Sequence, residues 1–169
     1  MQSATDILNL AASRYGEALY WHIRRLVVSH DDAEDALQET FLKIYTKASG
    51  FRGEERSLVA WFYRIATNEA LQMLRRRTRI FQTIDSLGDE LSELVVAESA
   101  PGADRTVILF QKATMRLTTQ QRIAFYLRYY DGLPYDQIAQ ITGRSEGSLR
   151  TNYHYAVNSI KKYMEDNTL

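Results

Sequence analysis

Arg150, Thr151, His154 and Tyr155 fall along one side of the stretch "EGSLRTNYHYAVNSI", and their types suit the reading of duplex DNA. An arginine can donate in a fork to guanine, and a threonine can meet a thymine methyl or a phosphate. Gly147 and Ser148, just ahead, let the backbone come close. Opposite them Leu149, Tyr153, Ala156 and Ile160 follow 4-3-4 spacing and turn inward. A second group lies in "AWFYRIATNEALQMLRRRTR", where Trp61, Phe62 and Tyr63 stand beside Arg64, Asn68 and the cluster Arg75, Arg76, Arg77 and Arg79. Aromatics and arginines on adjoining helix faces suit single-stranded DNA, whose bases stack and whose phosphates need neutralising. A third group is acidic. No base lies between Arg25 and Lys43, and Asp35, Gln38, Glu39 and Leu42 share the outer face of that stretch. A solvated face is one reading of it. A docking face for a basic helical partner is the other, favoured by Leu42, because an apolar side chain inside an acidic strip has the composition of an interface centre.

Enzymatic chemistry has little to work with. The chain has no cysteine, so it offers no thiol nucleophile, disulfide or zinc-thiolate site. His22, His30 and His154 are scattered, and the carboxylates of the acidic strip lie along one helix with no histidine among them. No catalytic residue, metal site or cofactor is expected.

The elements that position these groups are helical. From Ala33 to Ala48 the small or apolar positions, Ile44 and Tyr45 among them, keep 3-4-3-4 spacing, and Asp31 with Glu34 suggests a capping box. A second helix follows "GFRGEERS", with Leu58, Trp61, Phe62, Ile65, Ala66 and Met73 on its inner side. Hairpin signals and sustained alternation are absent. Residues 82–104 hold six acids and no base, whereas residues 1–81 balance at +2 and residues 105–169 at +4. This acidic stretch, with Gly88, Pro101 and Gly102, reads as a loosely held linker with at most a short helical turn over Leu91–Val96. The expected fold is all-α, with one helical domain over 1–81, a linker over 82–103 and a second helical domain over 104–169. The N-terminus lacks the basic start and apolar run of a signal peptide, and no run approaches the ~18 apolar residues of a membrane span. The cytoplasm is the expected location.

The interruption in "LPYDQIAQITGRSEGSLRTNYHYA" defines the second domain. Pro134 suits the first position of a helix, Gly143 permits a left-handed backbone, and Ser145 can cap the next helix. Ala139, Gly143 and Leu149 stand at offsets 0, 4 and 10, the spacing of a helix-turn-helix. An ordinary helical hairpin is the plainer alternative.

Three blocks in order, "DDAEDALQETFLKIY", "FRGEERSLVAWFYRIATNEALQMLRRR" and "LTTQQRIAFYLRYYDGLPYDQIAQITGRSEGSLRTNYHYA", make the chain resemble bacterial sigma factors of the extracytoplasmic-function (ECF) group over about residues 20–163. The resemblance implies a region 2 bundle and a region 4 helix-turn-helix joined by the acidic linker. It implies that Asp35, Gln38, Glu39 and Leu42 dock on the β′ clamp helices of RNA polymerase core, with Phe41 supporting them from below, and that the core's β subunit is also a partner. Phe51 and Arg52, in the loop that takes a flipped base, would hold the melted −10 strand together with Arg64, Asn68, Arg75, Arg76 and Arg77. Ser148, Arg150, Thr151, His154 and Tyr155 would read the −35 duplex. Promoter DNA and an anti-sigma factor are the other partners it implies, with no insertion into a membrane. Thr118 stands where the group often has proline, and Asn152 and Tyr155 stand where it often has arginine. The rival reading is an autonomous helix-turn-helix regulator, which would leave the acidic face and the aromatic–arginine block without a task.

Overall fold

The computed structural model describes residues 2–77 and 88–168, and among them only helices and their connections occur. The order is α1 (Ala4–Arg14), α2 (Gly16–Val27), α3 (His30–Lys47), α4 (Glu55–Arg77), α5 (Gly88–Glu98), α6 (Arg105–Met115), α7 (Thr119–Tyr129), α8 (Tyr135–Thr142) and α9 (Glu146–Asn167). Side chains set most of the starts. Ser3 and Asp6 form a reciprocal capping box on α1, and Thr118 and Gln121 form another on α7. On α3 the cap is Ser29, whose hydroxyl accepts from the Asp32 N–H at 3.3 Å; the capping box expected of Asp31 and Glu34 does not form. The helix simply begins earlier, at His30.

The first four helices close around Leu19, Ile23, Leu26, Ile44, Phe62 and Leu74, all essentially buried. A polar pair lies inside this core: the His22 ring nitrogen Nε2 sits 2.8 Å from the Thr67 hydroxyl. Burial, and then the nearby charge of Arg25, push the His22 pKa down to about 3, so its neutral form is the folded one. The later helices pack around Ile123, Leu127, Ile138, Ile141, Leu149 and Ile160, with Phe125 stacked between Tyr129 and Tyr153 at centroid distances of 5.1 and 5.6 Å.

Two findings concern how these groups are joined. Within the stretch expected to be a loose linker, Gly88–Glu98 forms a full helix that packs on α6 and buries Leu91 and Val95. Those two residues are four apart, so they share one face, and Glu98, three further on, continues it and pairs with Arg24 at 3.5 Å. Residues 78–87, which include Arg79 and the expected boundary at 81, lie outside the described residues. Second, the halves touch: α4 packs on α8 and α2 on α7.

Candidate nucleic-acid and protein-docking surfaces

The acidic face comes from α3. Asp35, Gln38, Glu39 and Leu42 are all exposed, and Leu42 keeps 56% of its surface open. Phe41 turns the other way. Its ring lies toward α2, where a Cβ added at Gly16 would stand 3.6 Å from it, an ordinary packing distance. Tyr45 departs from its expected inward position: it is 47% exposed, one turn beyond Leu42, and lengthens the apolar centre of the face. Its signal was available, since a three-residue step from Leu42 keeps the same side of a helix. A recess of about 240 Å³ between α3 and α4 is lined by Asp35, Gln38, Glu39, Glu69, Met73 and Arg76. Lys43 and Glu69 ion-pair beneath it and tie α3 to α4. Arg76 thus borders the acidic face, although the sequence groups it with the DNA-binding arginines.

The aromatic–arginine surface divides. Phe62 and Tyr63 are buried, so neither ring is open to stack on a base. Phe51 and Trp61 remain half-exposed, their centroids 5.1 Å apart, on the wall of an open recess of about 660 Å³ shared with Thr46, Lys47, Ser49 and Arg52. Arg52 donates to the Ser49 and Phe51 carbonyls at 3.0 and 2.9 Å and so shapes the loop that carries it. Gly53 is required there. Its φ is +151°, and an added Cβ would meet the Phe51 ring at 3.2 Å and the Ser57 Cβ at 3.3 Å. Arg64 and Asn68 lie exposed one turn apart on α4, and Arg75 and Arg76 are exposed at its end. Arg77 is held by protein instead: it donates to Asp32 from two nitrogens, at 3.1 and 2.6 Å, and pairs with Glu90 at 3.3 Å.

The third surface is the start of α9. Pro134 caps α8 with extended backbone, φ −69° and ψ 154°, one position ahead of the first helical place expected for it. Gly143 closes that helix in the left-handed conformation at φ +74°, and Ser145 opens α9 by accepting from the Ser148 N–H at 3.2 Å. Leu149, Ala156 and Ile160 are buried below. Ser148, Arg150, Thr151, His154 and Tyr155 all stand exposed above. The Arg150 guanidinium lies 5.1 Å from the Tyr135 ring centroid and 3.7 Å from the Glu146 carboxylate. Tyr135, which nothing in the sequence pattern singles out, also takes Arg128 at 4.5 Å, so one ring steadies two cations.

Among the described residues no group of three or more His, Cys, Asp or Glu could hold a metal, and no helix is long and apolar enough to cross a membrane. A four-helix bundle with an acidic face, followed by a helix-turn-helix, defines a two-part DNA-binding protein. The family model of sigma-70 region 2 matches residues 11–80, and that of sigma-70 region 4 matches residues 108–160. The chain belongs to the sigma-70 family, in its ECF group. It is 28% identical to the ECF sigma factor SigE of Mycolicibacterium smegmatis, over 96% of this chain and 63% of that protein. It is 25% identical to the ECF sigma factor SigW of Bacillus subtilis, over 90% and 86% of the two chains, and 29% identical to the sigma factor YlaC of the same organism, over 97% and 95%. The sigma factor RpoE of Bartonella quintana, solved with the anti-sigma factor NepR, superposes with a TM-score of 0.67 at 28% identity, covering 90% of this chain and 92% of that one.

Proposed function

We propose that this chain gives RNA polymerase core its promoter specificity through three separate surfaces, and that it carries out no chemistry of its own. Asp35, Gln38, Glu39 and Leu42, extended by Tyr45, dock on the β′ clamp helices. Phe51, Arg52, Trp61, Arg64 and Asn68 hold the melted −10 strand, with Arg75 and Arg76 adding charge near its edge. Ser148, Arg150, Thr151, His154 and Tyr155 read the −35 duplex. The region 2 half corresponds to residues 1–81 and the region 4 half to residues 104–169, joined by the acidic linker. The second half also meets the β subunit, and the protein works in the cytoplasm with the polymerase. An anti-sigma factor is a further partner, as NepR is for the RpoE relative.

The observation that carries this reading is Leu42, more than half open to solvent in the middle of an acidic helix face. An autonomous regulator has no use for such a face; a subunit that must bind a basic helical partner does. Run-off transcription with purified core and start-site mapping tests it. Discrete new start sites are expected only when the chain is present. A chain that neither co-elutes with core nor yields transcripts would sink the reading.

A further inference from the structure

Arg150 is the only arginine of α9, so the fork chemistry of the reading surface rests on one side chain. That side chain is not alone. Its guanidinium lies over the Tyr135 ring, 5.1 Å from the centroid, and 3.7 Å from the Glu146 carboxylate. Tyr135 is the first residue of α8 and is half-buried against the core of the second half, so packing fixes its ring. The helix-turn-helix thus sets an aromatic face of one helix against the single arginine of the next.

The two neighbours of Arg150 differ in strength. Its pair with Glu146 is exposed on both sides and longer than a hydrogen bond, and exposed pairs of that kind contribute little. The ring is better anchored. Arg128 lies 4.5 Å from the same centroid and donates to the Leu133 carbonyl at 3.1 Å, so a cation tied to the backbone holds the ring in turn.

The two neighbours also differ in what they leave over. An aromatic ring attracts a cation through its quadrupole and offers no lone pair in the plane of a fork. The N–H donors that a guanine edge needs stay available. A tight carboxylate would occupy them instead. A free arginine, finally, surrenders its rotamer freedom when it reaches a base, whereas one already held on a ring has less to lose.

We infer that Tyr135 is a specificity-positioning residue: its ring holds Arg150 in the arrangement from which the guanidinium donates to a base of the −35 duplex. Part of the selectivity of α9 therefore resides in α8. The inference rests on the sigma reading above, with Arg150 as the base reader.

Transcription with core from a panel of single −35 substitutions tests it, using wild type, Tyr135→Phe and Tyr135→Leu. Leucine keeps apolar bulk and removes the ring. Discrimination should fall about two- to fivefold at the base pairs that Arg150→Ala flattens, and stay unchanged elsewhere. Tyr135→Phe keeps the ring and should keep the discrimination. In an Arg150→Ala background, Tyr135→Leu should change nothing further at those base pairs. A uniform drop across the panel with Tyr135→Leu, as a merely structural role would give, would overturn the inference. So would full discrimination in that variant, or equal loss with phenylalanine and leucine. The contact itself is judged in the free protein, without DNA or polymerase: the ring current should shift the Arg150 side-chain proton resonances upfield in wild type. Unshifted resonances there would overturn the inference even if Tyr135→Leu failed to fold. Failure of the unmodified protein to transcribe would instead count against the sigma reading.

Discussion

The recognition surface on α9 stands clear of the rest of the molecule, whereas the strand-binding surface on α4 is interlaced with it. Ser148, Arg150, Thr151, His154 and Tyr155 are exposed on a helix whose opposite side is anchored by Leu149, Ala156 and Ile160. On α4, by contrast, Phe62 and Tyr63 are buried, Arg77 is held by Asp32 and Glu90, and Arg56 is held by Asp136. Duplex DNA offers a groove of fixed shape, and a rigid helix can be ready for it in advance. A melted strand has no shape until it is bound, so its receptor can be assembled during opening. One half presents its reading residues together; the other spreads Arg64, Asn68, Arg75 and Arg76 among side chains that packing has already claimed.

The largest expected effect isolates the docking face from both DNA surfaces. Glu39→Lys sets a like charge against the basic partner and should weaken core binding by about 2–5 kcal/mol, measured by competition against wild type. Its helical content should not change, because Glu39 is exposed. Unchanged affinity for core would remove the acidic face from the mechanism.

Next comes the ready-made surface. Arg150→Ala should flatten preference at one or two −35 base pairs, worth about 1–3 kcal/mol of discrimination, and leave the other positions alone. Transcription from a panel of single −35 substitutions reads this directly. A uniform drop across the panel would make Arg150 a phosphate contact that only positions the helix.

Acid should separate the two halves. His22 is neutral in the folded first half and titrates near 6.5 when unfolded, so the unfolded state binds the extra proton as pH falls. The stabilisation is complete above about pH 6.5 and is lost toward pH 3 at about 1.4 kcal/mol per pH unit. Urea melts of wild type and His22→Leu across pH 4–7 check this. The variant should lose most of the slope; an equal slope in both would exclude His22 as its source.

The smallest effect tests how α4 divides its arginines. Replacing Arg75 and Arg76 by Ala should lower the salt slope of open-complex formation by about 1.4, at ~0.7 per single-strand phosphate. Arg77→Ala should leave that slope alone and instead lower stability by about 1–3 kcal/mol, through loss of its hydrogen bonds to Asp32. Equal effects of all three arginines on the slope would mean that Arg77 leaves Asp32 when DNA binds.

What the sequence discloses here follows the range over which each feature is decided. The turn at Gly143 and the cap at Ser145 are settled within a few residues, and both are visible in the chain. The exposure of Asp35, Gln38, Glu39 and Leu42 follows from helical spacing alone. Trp61, Phe62 and Tyr63 are consecutive, so they point about 100° apart, and tertiary packing decides which ring stays open. Tyr63 is covered in part by Asp131 from the other half. Arg77 is diverted because α3, α4 and α5 meet there, which no local pattern encodes. The helix at Gly88–Glu98 is hidden by composition: its acids signal a linker, and only Leu91 and Val95 mark the face it buries.

The length of α9 sets how accurately the protein can aim. Its 22 residues make a rod of about 33 Å at 1.5 Å per residue. The reading residues occupy one end; toward the other, Ile160 is buried and Tyr163 takes the Arg116 guanidinium at 5.2 Å. Ser148 stands 15 residues from Tyr163, about 22 Å. Each degree of tilt about that far end therefore swings the reading residues by up to about 0.4 Å, and less than two degrees uses up the ~0.5 Å within which a binding contact must be held. Pointing error, rather than contact chemistry, would then limit promoter discrimination. Ile160 and Tyr163 touch no base, yet they act as the sight mount of the recognition helix.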